Sequence, residues 1–136
     1  MEIVLDPTNF LRPFIAVFGT IVLAQLIKLV LDIVHKKPTR FLENGGMPSS
    51  HSAGAAALAA AVFFQTGLSL LLVVVLFFAA IILNDALGVR RETTRHSVFL
   101  NELIKEKRFR IVGHEPLEVF FGVVLGLSVA IIVYII

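Results

Sequence analysis

Two histidines in this sequence stand where an apolar stretch begins. His51 lies in Gly45-Gly46-Met47-Pro48-Ser49-Ser50-His51-Ser52, just ahead of an alanine-rich run that opens at Ala53. The glycines free the backbone, Pro48 stops any helix before it, and Ser49 and Ser50 are good N-caps for a helix through the alanines. A histidine on the first turn of such a helix sits among unpaired backbone N–H groups at the positive end of the dipole. That setting suits a phosphate with a proton donor beside it. His114 opens the last apolar stretch, and Glu118 stands four residues on. A carboxylate at that spacing can hold one ring nitrogen and raise the nucleophilicity of the other. Arg40 precedes the glycines, and Arg90-Arg91 closes another apolar run. Two histidines with arginines between them fit phosphoryl transfer. One attacks phosphorus, the other protonates the leaving oxygen, and guanidinium groups hold the equatorial oxygens. Taken alone, His51 reads more simply as a polar residue closing a helix at an interface; the convergence of several such features is what favours chemistry.

The elements that must position these residues are membrane helices. The chain has 136 residues, enough for one domain, and is 57% hydrophobic with twelve phenylalanines and no tryptophan. Its mean hydropathy of +0.92 is far above that of a soluble domain. The absence of cysteine excludes disulfides and thiolate metal sites, and a net charge of only +2 gives no reason to expect a nucleic-acid partner. The opening Met1-Glu2-Ile3-Val4-Leu5-Asp6 is acidic and lacks the basic region of a secretory signal, so the first apolar segment is expected to be retained. The reading is an all-α integral membrane bundle of about four transmembrane helices, at about 10–34, 50–65, 68–87 and 115–136. An interfacial helix is expected in the 90–113 loop, where Val98, Phe99, Leu103 and Ile104 oppose Glu102, Lys105 and Glu106. Lys28 and Asp32 share a face of the first span, either as a snorkelling pair or facing protein. Gly122-x-x-x-Gly126 is a close-packing signal, expected mainly inside the chain and otherwise between two copies in a homodimer.

Four spans put both termini on one membrane face and both long loops on the other. The loop face carries Lys36, Lys37, Arg40, Arg90, Arg91, Arg95, Lys105, Lys107, Arg108 and Arg110, against Arg12 on the terminal face. The positive-inside bias then places the loops, and any site they build, in the cytoplasm.

Pro48-Ser49-Ser50-His51 resembles the Pro-Ser-Gly-His motif of the type 2 phosphatidic acid phosphatase superfamily. His114-Glu115-Pro116-Leu117-Glu118 is similar to its last, histidine-to-aspartate motif. Together with Asp85-Ala86-Leu87-Gly88-Val89-Arg90-Arg91 and Leu100-Asn101, these stretches resemble the short divergent branch of that superfamily, from about residue 25 to 126. The resemblance implies His114 as a nucleophile forming a phosphohistidine, Glu118 orienting it in place of an aspartate, and His51 as general acid. It implies phosphate binding by Arg90 or Arg91, with Lys28 or Lys37 and Arg40 in the place of the first motif's lysine and arginine. The backbone N–H groups of Ser49 and Ser50 would complete the cradle, and no metal or other cofactor is implied. Asp85 falls in a matching stretch without an assigned role. In the superfamily an arginine stands six residues before the nucleophilic histidine, and Arg90 to His96 meets that spacing. His96 is therefore the alternative nucleophile. His114 is preferred because a proline, an acid four residues on and the Gly-x-x-x-Gly helix all come after it.

The function expected is a metal-independent phosphatase acting on a lipid phosphate or diphosphate at the membrane interface. Two alternatives are a non-catalytic membrane protein that binds anionic lipid or a partner through its basic loops, and a small transporter subunit with Lys28, Asp32 and Asp85 along a path. Against the transporter, the polar residues gather at one membrane face.

Overall fold

The computed structural model describes residues 7–36, 46–106 and 113–136. Among these it contains five α-helices and no strand: α1 (Pro7–Val34), α2 (Ser50–Thr66), α3 (Leu70–Leu87), α4 (Val89–Ile104) and α5 (Pro116–Ile135). The all-α architecture is as the sequence reading has it. Three stretches are long and apolar enough to cross a membrane, within Phe10–Val34, Leu70–Ile104 and Pro116–Ile135. Their outward faces carry large apolar side chains such as Phe14, Phe18, Val22, Phe77, Phe78 and Ile131, all exposed. Water would not favour such a surface, whereas lipid does.

The helix at the centre is the least bulky one. α2 packs against α1, α3 and α5, and buries Ser52, Ala53, Gly54, Ala55, Ala56, Ala57 and Ala61. Its 17 residues span about 25 Å at 1.5 Å each, short of the ~30 Å of a hydrocarbon core. It still runs most of the depth of the bundle beside α5. Ser49 at its start bonds to Glu118, and Phe64 near its end stacks on Tyr134 with ring centroids 5.0 Å apart. α2 and α5 are therefore parallel. α1 runs the other way, because Gln25 meets Ser50 while Ala16 packs with Ala61 and Ala130.

Small residues set how close these helices come. A Cβ added at Gly122 would lie 2.5 Å from the Ser49 carbonyl oxygen, and one at Gly126 2.2 Å from that of Ala53. On the α1 side, a Cβ at Gly54 would come 3.0 Å from the Ile21 side chain. Gly122 and Gly126 are thus spent on α2, inside the chain. The expected alternative, a homodimer through this pair, would have to displace the central helix.

The helix expected in the 90–113 loop is α4, which resumes at Val89 directly after Gly88 caps α3 and ends at Ile104. Phe99, Leu100, Leu103 and Ile104 are exposed along one side of α4, and Arg91, Arg95 and Glu102 share another, in keeping with the expected interfacial character.

Candidate active site

The site is built at one end of the bundle, where α1 and α3 finish and α2 and α5 begin. Ser49 caps α2 as expected: its hydroxyl accepts from Ser52 N at 3.4 Å and from the Ser52 hydroxyl at 2.9 Å. Its own backbone N–H donates to the Glu118 carbonyl at 3.0 Å. Ser49 is fully buried and Ser50 nearly so, with the Ser50 hydroxyl accepting from Gln25 at 3.3 Å. The Ser49 N–H is committed to docking α2 onto α5, and neither serine lines the cavity described below.

His114 and Glu118 meet, though not along a helical face. α5 begins only at Pro116, with Glu115 as N-cap and His114 outside the helix. Glu118 occupies the third helical position and reaches back, as in a capping box, to accept the Glu115 N–H at 3.1 Å. The same oxygen, Oε2, lies 2.9 Å from His114 Nδ1. The Gly46 N–H also donates to this carboxylate. Gly46 has φ +100°, a conformation that favours glycine, and it packs on the stem of Lys28. An ionised carboxylate only accepts, so Nδ1 carries the proton and Nε2 of the neutral ring keeps a lone pair. His114 is 2% exposed, and its Nε2 is buried with no hydrogen-bond partner among the described residues.

That ring forms part of a cavity of about 190 Å³ lined by His51, Ile81, Ile82, Asp85, Ala86, Arg90 and His114. His51 stands exposed on the first turn of α2, within electrostatic reach of Arg90, His114, Lys28 and Asp85. Arg90 comes from the first turn of α4, and its Nε donates to Asp85 Oδ2. Gly113 lies against the first turns of α4, which brings Arg90 and His114 together. The Gly113 N–H donates to Thr94 Oγ1 at 2.6 Å, and a Cβ at Gly113 would sit 2.4 Å from the Arg90 carbonyl oxygen. Arg91 points elsewhere, 3.7 Å from Glu115 across the same junction.

Of the remaining candidates, Lys28 is buried at 3% exposure beside Gly46 and does not line the cavity. His96 is exposed on α4 and does not line the cavity, whereas His114 does. Lys37 and Arg40 lie outside the described residues. Sequence reasoning missed Ile81, Ile82 and Ala86, which wall the cavity as ordinary apolar residues of a membrane helix. It also missed Thr94 and the contact of Gly113 with Arg90; Gly113 adjoins the His114 motif, but nothing in the sequence ties it to α4.

The chain matches the Divergent PAP2 family over residues 11–129. It is 34% identical to YuiD, an uncharacterized membrane protein of Bacillus subtilis (strain 168), over 92% of this chain and 94% of that one. No solved structure matches it.

Proposed function

Because the chain belongs to the divergent PAP2 family and is an integral membrane protein, we propose that it is a membrane phosphatase that hydrolyses a lipid phosphate through a phosphohistidine on His114. The observation that carries this reading is the His114 ring: buried, held at Nδ1 by Glu118, with no partner for Nε2 among the described residues, and lining a cavity together with His51 and Arg90. Nε2 attacks phosphorus and the P–O bond to the lipid breaks. His51 gives its proton to the departing alkoxide while Arg90 holds the equatorial oxygens. Water then attacks the phosphohistidine, His51 takes a proton from it, and phosphate leaves with His114 restored to its neutral form.

The cavity volume bears on the substrate. About 190 Å³ is below the roughly 300–1,000 Å³ that encloses a drug-sized ligand. It accommodates a phosphoester end and leaves an apolar tail to the bilayer around Ile81 and Ile82. Purified protein is expected to release phosphate from dioleoyl phosphatidate in excess EDTA. His114→Ala and His51→Ala should each lower kcat by about 10³-fold or more. A brief exposure to labelled substrate should leave an acid-labile, base-stable phosphoryl group on wild type and none on His114→Ala. Full turnover by His114→Ala would discard the mechanism.

A further inference from the structure

A carboxylate in a cavity meant for an anion needs a reason, since Asp85 repels the phosphate that Arg90 attracts. Asp85 stands in the last turn of α3 and Arg90 in the first turn of α4, with Gly88 as the joint between the helices. Both side chains line the cavity, and each is about one-third exposed, at 38% and 34%. The pair is made through Arg90 Nε, the inner nitrogen of the guanidinium, so the carboxylate fixes the plane of the group and leaves both outer nitrogens to donate elsewhere.

The backbone of Arg90 is fixed independently. Gly113 packs against its carbonyl oxygen, and that contact ties it to the segment leading into His114. Among the described residues Asp85 is the partner that holds the guanidinium, and a free arginine side chain loses substantial rotamer entropy when it is immobilised on a ligand. Building on the phosphatase reading, we infer that Asp85 is a positioning residue: it holds Arg90 by Nε so that the two outer nitrogens face the phosphoryl oxygens at the His114 ring.

This role makes a prediction opposite in sign to plain electrostatics. Removing a negative charge from an anion site should tighten anion binding if Asp85 is only a neutralising neighbour. If it positions Arg90, binding should weaken. Orthovanadate binding to the detergent-solubilised full chain reads this without turnover, and dioleoyl phosphatidate hydrolysis reads it with turnover. Asp85→Asn is expected to weaken vanadate binding about tenfold and to lower kcat more than it raises KM. In an Arg90→Ala background the same substitution should cause no further weakening, and Asp85→Glu should restore part of the loss.

Equal or tighter vanadate binding by Asp85→Asn would overturn the inference while leaving the phosphatase reading in place. Equal losses with and without Arg90, or thermal unfolding of both Asp85 variants well below wild type, would overturn it in favour of a structural role. A wild type that neither binds vanadate nor releases phosphate would overturn the phosphatase reading, and this inference with it.

Discussion

At the scale of residues, the site uses one carboxylate for two purposes. Glu118 completes the N-terminal cap of α5 and also fixes the His114 tautomer, both through Oε2. The sequence shows the four-residue spacing but not the reason the two groups meet. A helix beginning at His114 would have placed them on one face; the actual helix begins two residues later and the glutamate reaches back over its cap. Glu118→Gln separates the two uses. The amide oxygen can still accept the Glu115 N–H, so the cap survives, but the charge that stabilises a positive ring is gone. The expected result is a fall in kcat of about 10²-fold or more with little change in KM, measured on a lipid phosphate. Thermal stability in detergent should fall by no more than ~1 kcal/mol, the size of a cap interaction. Equal kcat values would show that the carboxylate serves the helix alone.

At the scale of elements, the strongly apolar helices were legible throughout and the polar one only in its second half. α1, α3 and α5 announce themselves because a bilayer demands long uninterrupted apolar runs. The first turns of α4 do not, because Arg90-Arg91-Glu92-Thr93-Thr94-Arg95 has no apolar period and includes two β-branched residues that favour helix weakly. Contacts of α4 with α3 and with Gly113 support its first turns. The glycines divide in the same way. Gly122 and Gly126 carry a visible spacing, while Gly113 carries none and yet lets the His114 segment touch Arg90.

Substitutions at these glycines distinguish packing of the bundle from assembly of the site. In Gly126→Val the new side chain meets the Ala53 carbonyl, a backbone atom that cannot rotate away, and overpacking of this kind costs about 1–3 kcal/mol. The melting temperature in detergent should fall accordingly. Gly113→Ala strikes the Arg90 carbonyl at the rim instead, so it should lower phosphate release while the melting temperature changes little. Gly19→Ala is the control, because nothing lies within 4 Å of the added carbon. It should keep activity and gain up to about 1 kcal/mol from better helix propensity. A Gly113→Ala variant with normal turnover would mean that α4 and the His114 segment need not touch for the chemistry.

At the scale of the molecule, the antiparallel run of α1 and α3 against α2 and α5 gives the bundle two unlike ends. The site end holds Lys36, Arg90, Arg91, Arg95 and Lys105, and the far end holds Arg12 and the Thr66–Ser69 turn between α2 and α3. Lys37, Arg40, Lys107, Arg108 and Arg110 belong, by sequence, to the segments that join elements at the site end. Discounting Arg90 as a phosphate ligand still leaves a large excess there, and the K/R bias of short loops sets orientation. The site is therefore proposed to face the cytoplasm, where the phosphate would be released. The chain contains no cysteine, so a single introduced thiol reports one position without background. Thr93→Cys lies exposed on α4 at the site end, and Leu68→Cys lies in the far turn at 91% exposure. In intact cells a membrane-impermeant maleimide should modify Leu68→Cys and spare Thr93→Cys, and permeabilisation should expose both. The reverse pattern would place the cavity on the outer leaflet, and the arginines around it would then have to be explained by the anion they hold rather than by the rule that orients membrane proteins.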